Sequence, residues 1–221
     1  VSHPGIDKVA FTGSTAAGRR IASICGEQLK RCTLELGGKS AAIILDDADL
    51  GMVTQGLKFA SFMNNGQACV AQTRILASRK NYATVVDAIA ELASSLVVGD
   101  PHDAATEVGP LVAQRQQERV EKYIALGQEE GARVVVGGNG MPAGIEKGWY
   151  VQPTVFADAT NEMRIAREEI FGPVLAVIPF DDVDDAVAIA NDSEYGLAGS
   201  VWTGDVDTRS EEHTSELQSR G

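Results

Sequence analysis

The chain has 221 residues, 44% hydrophobic and 23% charged, a length that can bury roughly 70 to 75% of the unfolded surface. A net charge of −12 and a pI of about 4.7 make phosphate backbones and anionic lipid poor partners, so neither nucleic acid nor membrane binding is expected. No apolar run reaches the ~18 residues of a membrane span. The opening VSHPGIDKVAF has neither a basic start nor an apolar signal core, and a cytoplasmic protein is expected.

In chain order, short apolar runs alternate with helical patterns. KVAFTG is strand-like, TAAGRRIASICGEQLK helix-like, CTLEL and AAIIL strand-like, and LGMVTQGLKFASFM helix-like. That rhythm predicts an α/β sheet. TRILASR restarts a strand, and the segment from Tyr82 to Leu96 places Val85, Ile89, Leu92 and Leu96 on one core-facing helical stripe. The loop VGDPHDAATEVGP leads to a helix marked by Val120, Tyr123 and Ile124, and then to the strand ARVVVGG. There follow GWYVQPTVF, a short helix through EMRIAREEI, the strand VLAVIPF, the helix DVDDAVAIAN and a last strand near LAGSVWT. No internal repeat is present. After Val206 the only strong apolar residue is Leu217, and RSEEHTSELQS resembles the translation of a sequencing adapter. Residues 209–221 are therefore expected to be a non-native tail.

The cysteines Cys25, Cys32 and Cys69 lack metal spacing, and His3, His102 and His213 are scattered, so no metal site is expected. Cys69 follows the polar turn Asn64-Asn65-Gly66, where the chain restarts after a helix. Two readings are open: a small apolar filler, or a sulfur that faces a cleft. Cys25 and Cys32 flank a helix end and read as core or partly exposed residues.

Two glycine stretches invite a nucleotide reading. The phosphate-loop pattern G-x-x-x-x-G-K-S/T fails at Gly38-Lys39-Ser40, because Thr33 stands where its first glycine should be. It fails again after Gly13 and Gly18, where Arg19 and Arg20 follow. What remains is a strand, a Gly-Ser-Thr turn and a helix start. Ser14 or Thr15 can cap that helix, and its free N–H groups either serve the cap alone or also face an anion.

Four segments taken together, FTGST (Phe11 to Thr15), LELGGKS (Leu34 to Ser40), NNGQACVA (Asn64 to Ala71) and EEIFGPV (Glu168 to Val174), resemble the signatures of the NAD(P)-dependent aldehyde dehydrogenase superfamily. Their order matches too, with Glu35 preceding Cys69 by 34 positions. The resemblance implies the α/β aldehyde dehydrogenase fold. In family terms, residues 1–36 are the end of the coenzyme-binding domain and residues 37–208 most of the catalytic domain.

The resemblance also implies roles. Cys69 is the nucleophile that forms a thiohemiacetal and then a thioester, and Glu35 activates the water that hydrolyses it to a carboxylic acid. Gly13 and Ser14 approach the pyrophosphate of NAD or NADP, while Thr12 and Leu36 lie near the nicotinamide. Glu169 accepts hydrogen bonds from the nicotinamide ribose, and Phe171 packs beside the ring. Glu168 reads as an exposed helix-face carboxylate. The substrate is a small-molecule aldehyde whose identity the sequence leaves open, Ala68 and Val70 saying only that the wall beside the thiol is small and apolar, and the full-length parent is a homo-oligomer. The family's oxyanion asparagine and its adenine-ribose contacts have no counterpart here, which leads to the expectation of an internal fragment without aldehyde oxidation of its own. Two rivals share the scaffold. A coenzyme A-acylating relative has no use for Glu35, and a noncatalytic module has no use for Cys69.

Overall fold

The computed structural model describes residues 1–205; the tail expected at 209–221 lies outside them. The chain divides into two compact units, Val1–Gly38 and Lys39 onward.

The first unit is a single strand-helix-strand turn. β1 (Lys8–Thr12) leads into α1 (Thr15–Glu27), and β2 (Arg31–Glu35) returns parallel to β1, with Thr12 opposite Glu35. Ser14 caps α1 by accepting the Ala17 N–H at 3.3 Å. The helix stops before the predicted Lys30 because Leu29 takes a left-handed φ of 53°, and the Lys30 N–H turns back onto the Cys25 carbonyl at 2.8 Å.

The second unit is a six-stranded sheet in the order β5-β6-β7-β4-β3-β8. These strands are β3 (Ser40–Ile44), β4 (Gln72–Ser78), β5 (Arg133–Val136), β6 (Thr154–Ala157), β7 (Val174–Phe180) and β8 (Gly199–Trp202). All neighbours are parallel except β5 with β6. A parallel sheet buried on both faces needs continuous apolar strands rather than alternating ones. β3 obeys this: Ala41 and Ile43 enter one core, Ala42 and Ile44 the other. The first core is completed by α4 (Gln114–Glu129), α5 (Arg164–Arg167) and α6 (Val183–Asn191) through Val120, Ile124, Ile165 and Ala186. The second is completed by α2 (Leu50–Phe62) and α3 (Tyr82–Ser95), where Val85, Ile89, Leu92 and Leu96 are all buried as their spacing predicts.

Two predicted elements are shorter in the structure. Of EMRIAREEI only Arg164–Arg167 is helical, since Glu168 is extended at ψ 145° and Pro173, five residues on, has no N–H to give a continuing helix. Of GWYVQPTVF only Thr154–Ala157 pairs as a strand, beginning directly after Pro153. Cys25 lies in the last turn of α1, fully buried, and Cys32 in β2, exposed, so the two flank the helix end. No helix among the described residues is long and apolar enough to cross a membrane.

Candidate active site

In the first unit, the parallel register carries Thr12 and Glu35 to the same end of the two-stranded sheet. The Gly13 N–H donates to the Glu35 carbonyl at 3.0 Å, tying the two strand ends together. Thr12, Gly13, Ser14 and Glu35 are exposed there. Leu36 lies over the first turns of α1: a Cβ at Gly18 would stand 2.4 Å from the Leu36 Cδ2 atom, so Gly18 is what admits that side chain. Thus Thr12, Gly13, Ser14, Glu35 and Leu36 gather at one end of the unit, beside the positive end of a 13-residue helix.

In the second unit, Cys69 stands on a hairpin of backbone between α2 and β4. A 3-10 turn (Met63–Gly66) begins the reversal, with Asn64, Asn65 and Gly66 left-handed in succession at φ 52°, 59° and 70°. Asparagine tolerates that region better than other residues with a Cβ, because its short amide finds local partners. Here both asparagines do. Asn64 donates to the Gln67 carbonyl at 3.0 Å, and Asn65 donates to Pro110 O at 3.0 Å while accepting the Gly109 N–H at 2.8 Å. Gln67 accepts the Val112 N–H at 3.0 Å, so the segment 109–112 braces the turn from outside. A final turn, Ala71 N–H to Ala68 O at 3.0 Å, presents Cys69 at its tip, half-buried.

The same turn meets the EEIFGPV segment. A Cβ on Gly66 would lie 2.3 Å from the Gly172 carbonyl oxygen, so the two backbones are in direct contact. Phe171, one residue earlier, is left-handed at φ 65°, an uncommon state for an aromatic residue that surrounding contacts must hold. Gln116 on α4 supplies them by donating to the Ile170 and Phe171 carbonyls at 3.0 and 2.7 Å, and Arg119 donates to the Ile170 and Glu169 carbonyls. Glu169 is half-buried. Glu168 differs from the exposed carboxylate expected: Arg164 grips it at 2.6 Å and the Tyr123 hydroxyl donates to it. That arginine holds the Glu168 carboxyl below the usual range, and burial together with Glu168 raises the Tyr123 phenol.

Sequence reasoning missed a further group of polar residues. A cavity of about 270 Å³ is lined by Lys39, Ser40, Arg74, Ser193 and Tyr195. Lys39 is 2% exposed, and burial, assisted by nearby Arg74, pushes its amine down to about 7 against the pull of Glu169 and Glu168. Arg74 is equally buried, and its guanidinium donates to the carbonyls of Lys39, Ile189 and Ala190 and to Asn161 Oδ1, all between 2.8 and 3.0 Å. The Ser40 hydroxyl has no hydrogen-bond partner. The signal lay in GGKS, where a lysine directly after a double glycine precedes the buried strand SAAII. No cluster of three metal-ligating side chains occurs among the described residues.

Comparison with known proteins bears on the family and the fold. The family model described as the aldehyde dehydrogenase family matches residues 1–218. A geranial dehydrogenase of Castellaniella defragrans is 58% identical over 207 residues, 94% of this chain and 43% of that protein. A betaine aldehyde dehydrogenase of Agrobacterium fabrum is 46% identical over 207 residues, covering 93% of this chain and 42% of that one. Among solved structures, a Mycobacterium tuberculosis aldehyde dehydrogenase complexed with NAD+ superposes with a TM-score of 0.93 at 56% identity, over 96% of this chain and 44% of that one. A Pseudomonas syringae aldehyde dehydrogenase mutant complexed with NAD+ and octanal gives 0.93 at 44% identity, with 96% and 44% coverage. The chain spans under half the length of the relatives it matches.

Proposed function

The chain belongs to the aldehyde dehydrogenase family, and from that premise we propose that the protein carrying this segment oxidises an aldehyde to a carboxylic acid, with Cys69 as nucleophile and Glu35 as the base that activates water. The observation that carries this reading is the backbone of the thiol turn. Three consecutive left-handed residues, braced from segment 109–112 and pressed against Gly172, cost conformational energy that a mere core filler does not need.

The cofactor is NAD+, as in the solved relatives, and the residues suit it. Exposed Gly13 and Ser14 at the start of α1 suit a pyrophosphate, and Thr12 and Leu36 lie on the same end of that unit. Phe171, fixed in its unusual backbone state, offers a flat apolar wall, and Glu169 an acceptor for ribose hydroxyls. When bound, the nicotinamide takes up the hydride that leaves the substrate carbon. The chain's own groups do the rest. The Cys69 thiolate adds to the aldehyde carbon, giving a thiohemiacetal; loss of hydride leaves a thioester on Cys69. Glu35 then removes a proton from water as its oxygen attacks the acyl carbon, and the sulfur departs with the acid released. In the same proposal, Val1–Gly38 is the end of a coenzyme-binding domain and the sheet unit is the catalytic domain.

The test uses a version extended to the length of the relatives. Cys69→Ala is expected to abolish NADH formation. Glu35→Gln is expected to keep the initial burst of NADH and slow the steady state by roughly 10² to 10⁴, the usual contribution of a general base. Equal loss of burst and steady state in Glu35→Gln sinks the water-activating role.

A further inference from the structure

We propose that Cys25 and Cys32 form a peroxide-oxidisable dithiol, closing to an intramolecular disulfide that ties the end of α1 to the start of β2. The argument begins with register. Gly18 and Cys25 are seven residues apart, two turns of helix, so they share one face of α1, and both are buried. Cys32 and Leu36 are four residues apart along β2 and its end, so they share one face of the strand. Gly18 packs directly on Leu36. Helix and strand run in opposite directions in such a unit, so moving back along β2 from Leu36 to Cys32 is moving forward along α1 from Gly18 to Cys25. The distances agree, at about 10 Å along the helix and about 13 Å along the strand. A second observation supports this: the Cys25 thiol is raised first by burial and then by the neighbouring Cys32. The chain reversal between them is fixed, with the Gln28 and Lys30 N–H groups both on the Cys25 carbonyl.

The two sulfurs differ in the way a sensing pair requires. Cys32 is exposed and Cys25 fully buried. Lys30 lies near enough to Cys25 to offset part of the rise that burial and Cys32 impose on its thiol. A hydroperoxide reaches Cys32 first: its thiolate attacks the O–O bond, one oxygen stays on sulfur as a sulfenic acid and the other leaves as water or an alcohol. Cys25 sulfur then attacks the sulfenic sulfur, expelling the oxygen as water and leaving the S–S bond. Two thiols lose two electrons and two protons, and the peroxide takes them up. Cys69 has no part in this.

The 221-residue chain carrying Cys69→Ser tests it. Trypsin cuts after Arg20, Lys30, Arg31 and Lys39, so Cys25 and Cys32 fall in separate peptides, IASICGEQLK and CTLELGGK. After a few equivalents of hydrogen peroxide, these two peptides are expected to be linked in a non-reducing digest of monomeric protein, and to separate with dithiothreitol. Six residues separate the thiols, so the same reaction in urea is the control for the fold. Linkage in native protein is expected at least tenfold faster. Adding Cys25→Ser should leave a Cys32 sulfenic acid that dimedone traps. Equal rates in native and urea conditions, conversion of Cys32 to sulfinic acid with Cys25 still alkylatable, or linkage between chains instead of within one would each overturn the proposal.

Discussion

Replacing Lys39 by methionine isolates the electrostatic cost of one buried amine. Lys39 has an ordinary value of 10.5 when exposed and about 7 in the folded chain. The folded value is depressed for a base, so the sign is fixed. Below about pH 7 both states bind the proton and the destabilisation stands in full; as pH rises from 7 toward 10.5 only the unfolded chain keeps it, and stability increases. At ~1.4 kcal/mol per unit, and allowing for half-protonation of the folded amine at pH 7, the gain between pH 7 and 9 is about 2 kcal/mol. Of the groups facing the amine, Arg74 is lowered by burial only to about 10, above that window, and Arg164 holds the Glu168 carboxyl below the usual range. Cys25, raised by burial, works the other way, losing stability as pH climbs past the ordinary thiol value, but it does so in both proteins. Urea midpoints at pH 7, 8 and 9, with m values compared, give the difference directly. Wild type should gain on Lys39→Met by about 2 kcal/mol over the range. Parallel pH curves for the two proteins would refute the reasoning, because they would mean that the folded amine titrates as an exposed one.

Arg74→Met leaves three carbonyls and the Asn161 side chain without their buried donor, and unfolding free energy from urea melts should fall by about 3 to 5 kcal/mol. A loss under ~1 kcal/mol would show that water replaces the guanidinium freely. Gly66→Ala adds a Cβ 2.3 Å from the Gly172 oxygen at a φ of 70°, so a loss above ~2 kcal/mol is expected in the same melts, together with altered iodoacetamide reactivity of Cys69. Gly26→Ala, in α1 with open space around the added carbon, should instead raise stability by about 0.5 to 1 kcal/mol; an equal loss at both glycines would remove the steric argument.

The strands and long helices were legible because their signal is local. Val85, Ile89, Leu92 and Leu96 announce a helix face by spacing alone, and VLAVIPF announces a strand covered on both sides. The ends were less so. Leu29 has no sequence mark of the left-handed state that stops α1, and EMRIAREEI has good helical composition that a following Pro173 and the latching of the Ile170 and Phe171 carbonyls override. The thiol turn was visible as Asn-Asn-Gly. Its bracing by Gly109, Pro110 and Val112 was not, since those partners lie more than forty residues away. Lys39 was read only as part of a failed phosphate loop and of the segment LELGGKS, because burial of an amine is a property of the sheet it adjoins and not of its neighbours in the chain.

The bracing of the thiol turn also sets how the protein ages. Asn65 precedes Gly66, and an asparagine followed by glycine is the pairing in which the next backbone nitrogen closes most readily on the side-chain amide, leading through a cyclic imide to aspartate or isoaspartate. While the Asn65 amide is held by Gly109 and Pro110, it is restrained from swinging into that attack. Once the acid forms, the group that donated to the Pro110 carbonyl becomes a negative oxygen facing it, and the brace turns repulsive. Under storage or heat, conversion should therefore begin where the brace loosens and, once begun, keep the turn from re-forming. Peptide maps of aged protein should show conversion at Asn65 rising in step with the loosening of Cys69, and conversion that leaves Cys69 reactivity unchanged would show that the brace is dispensable.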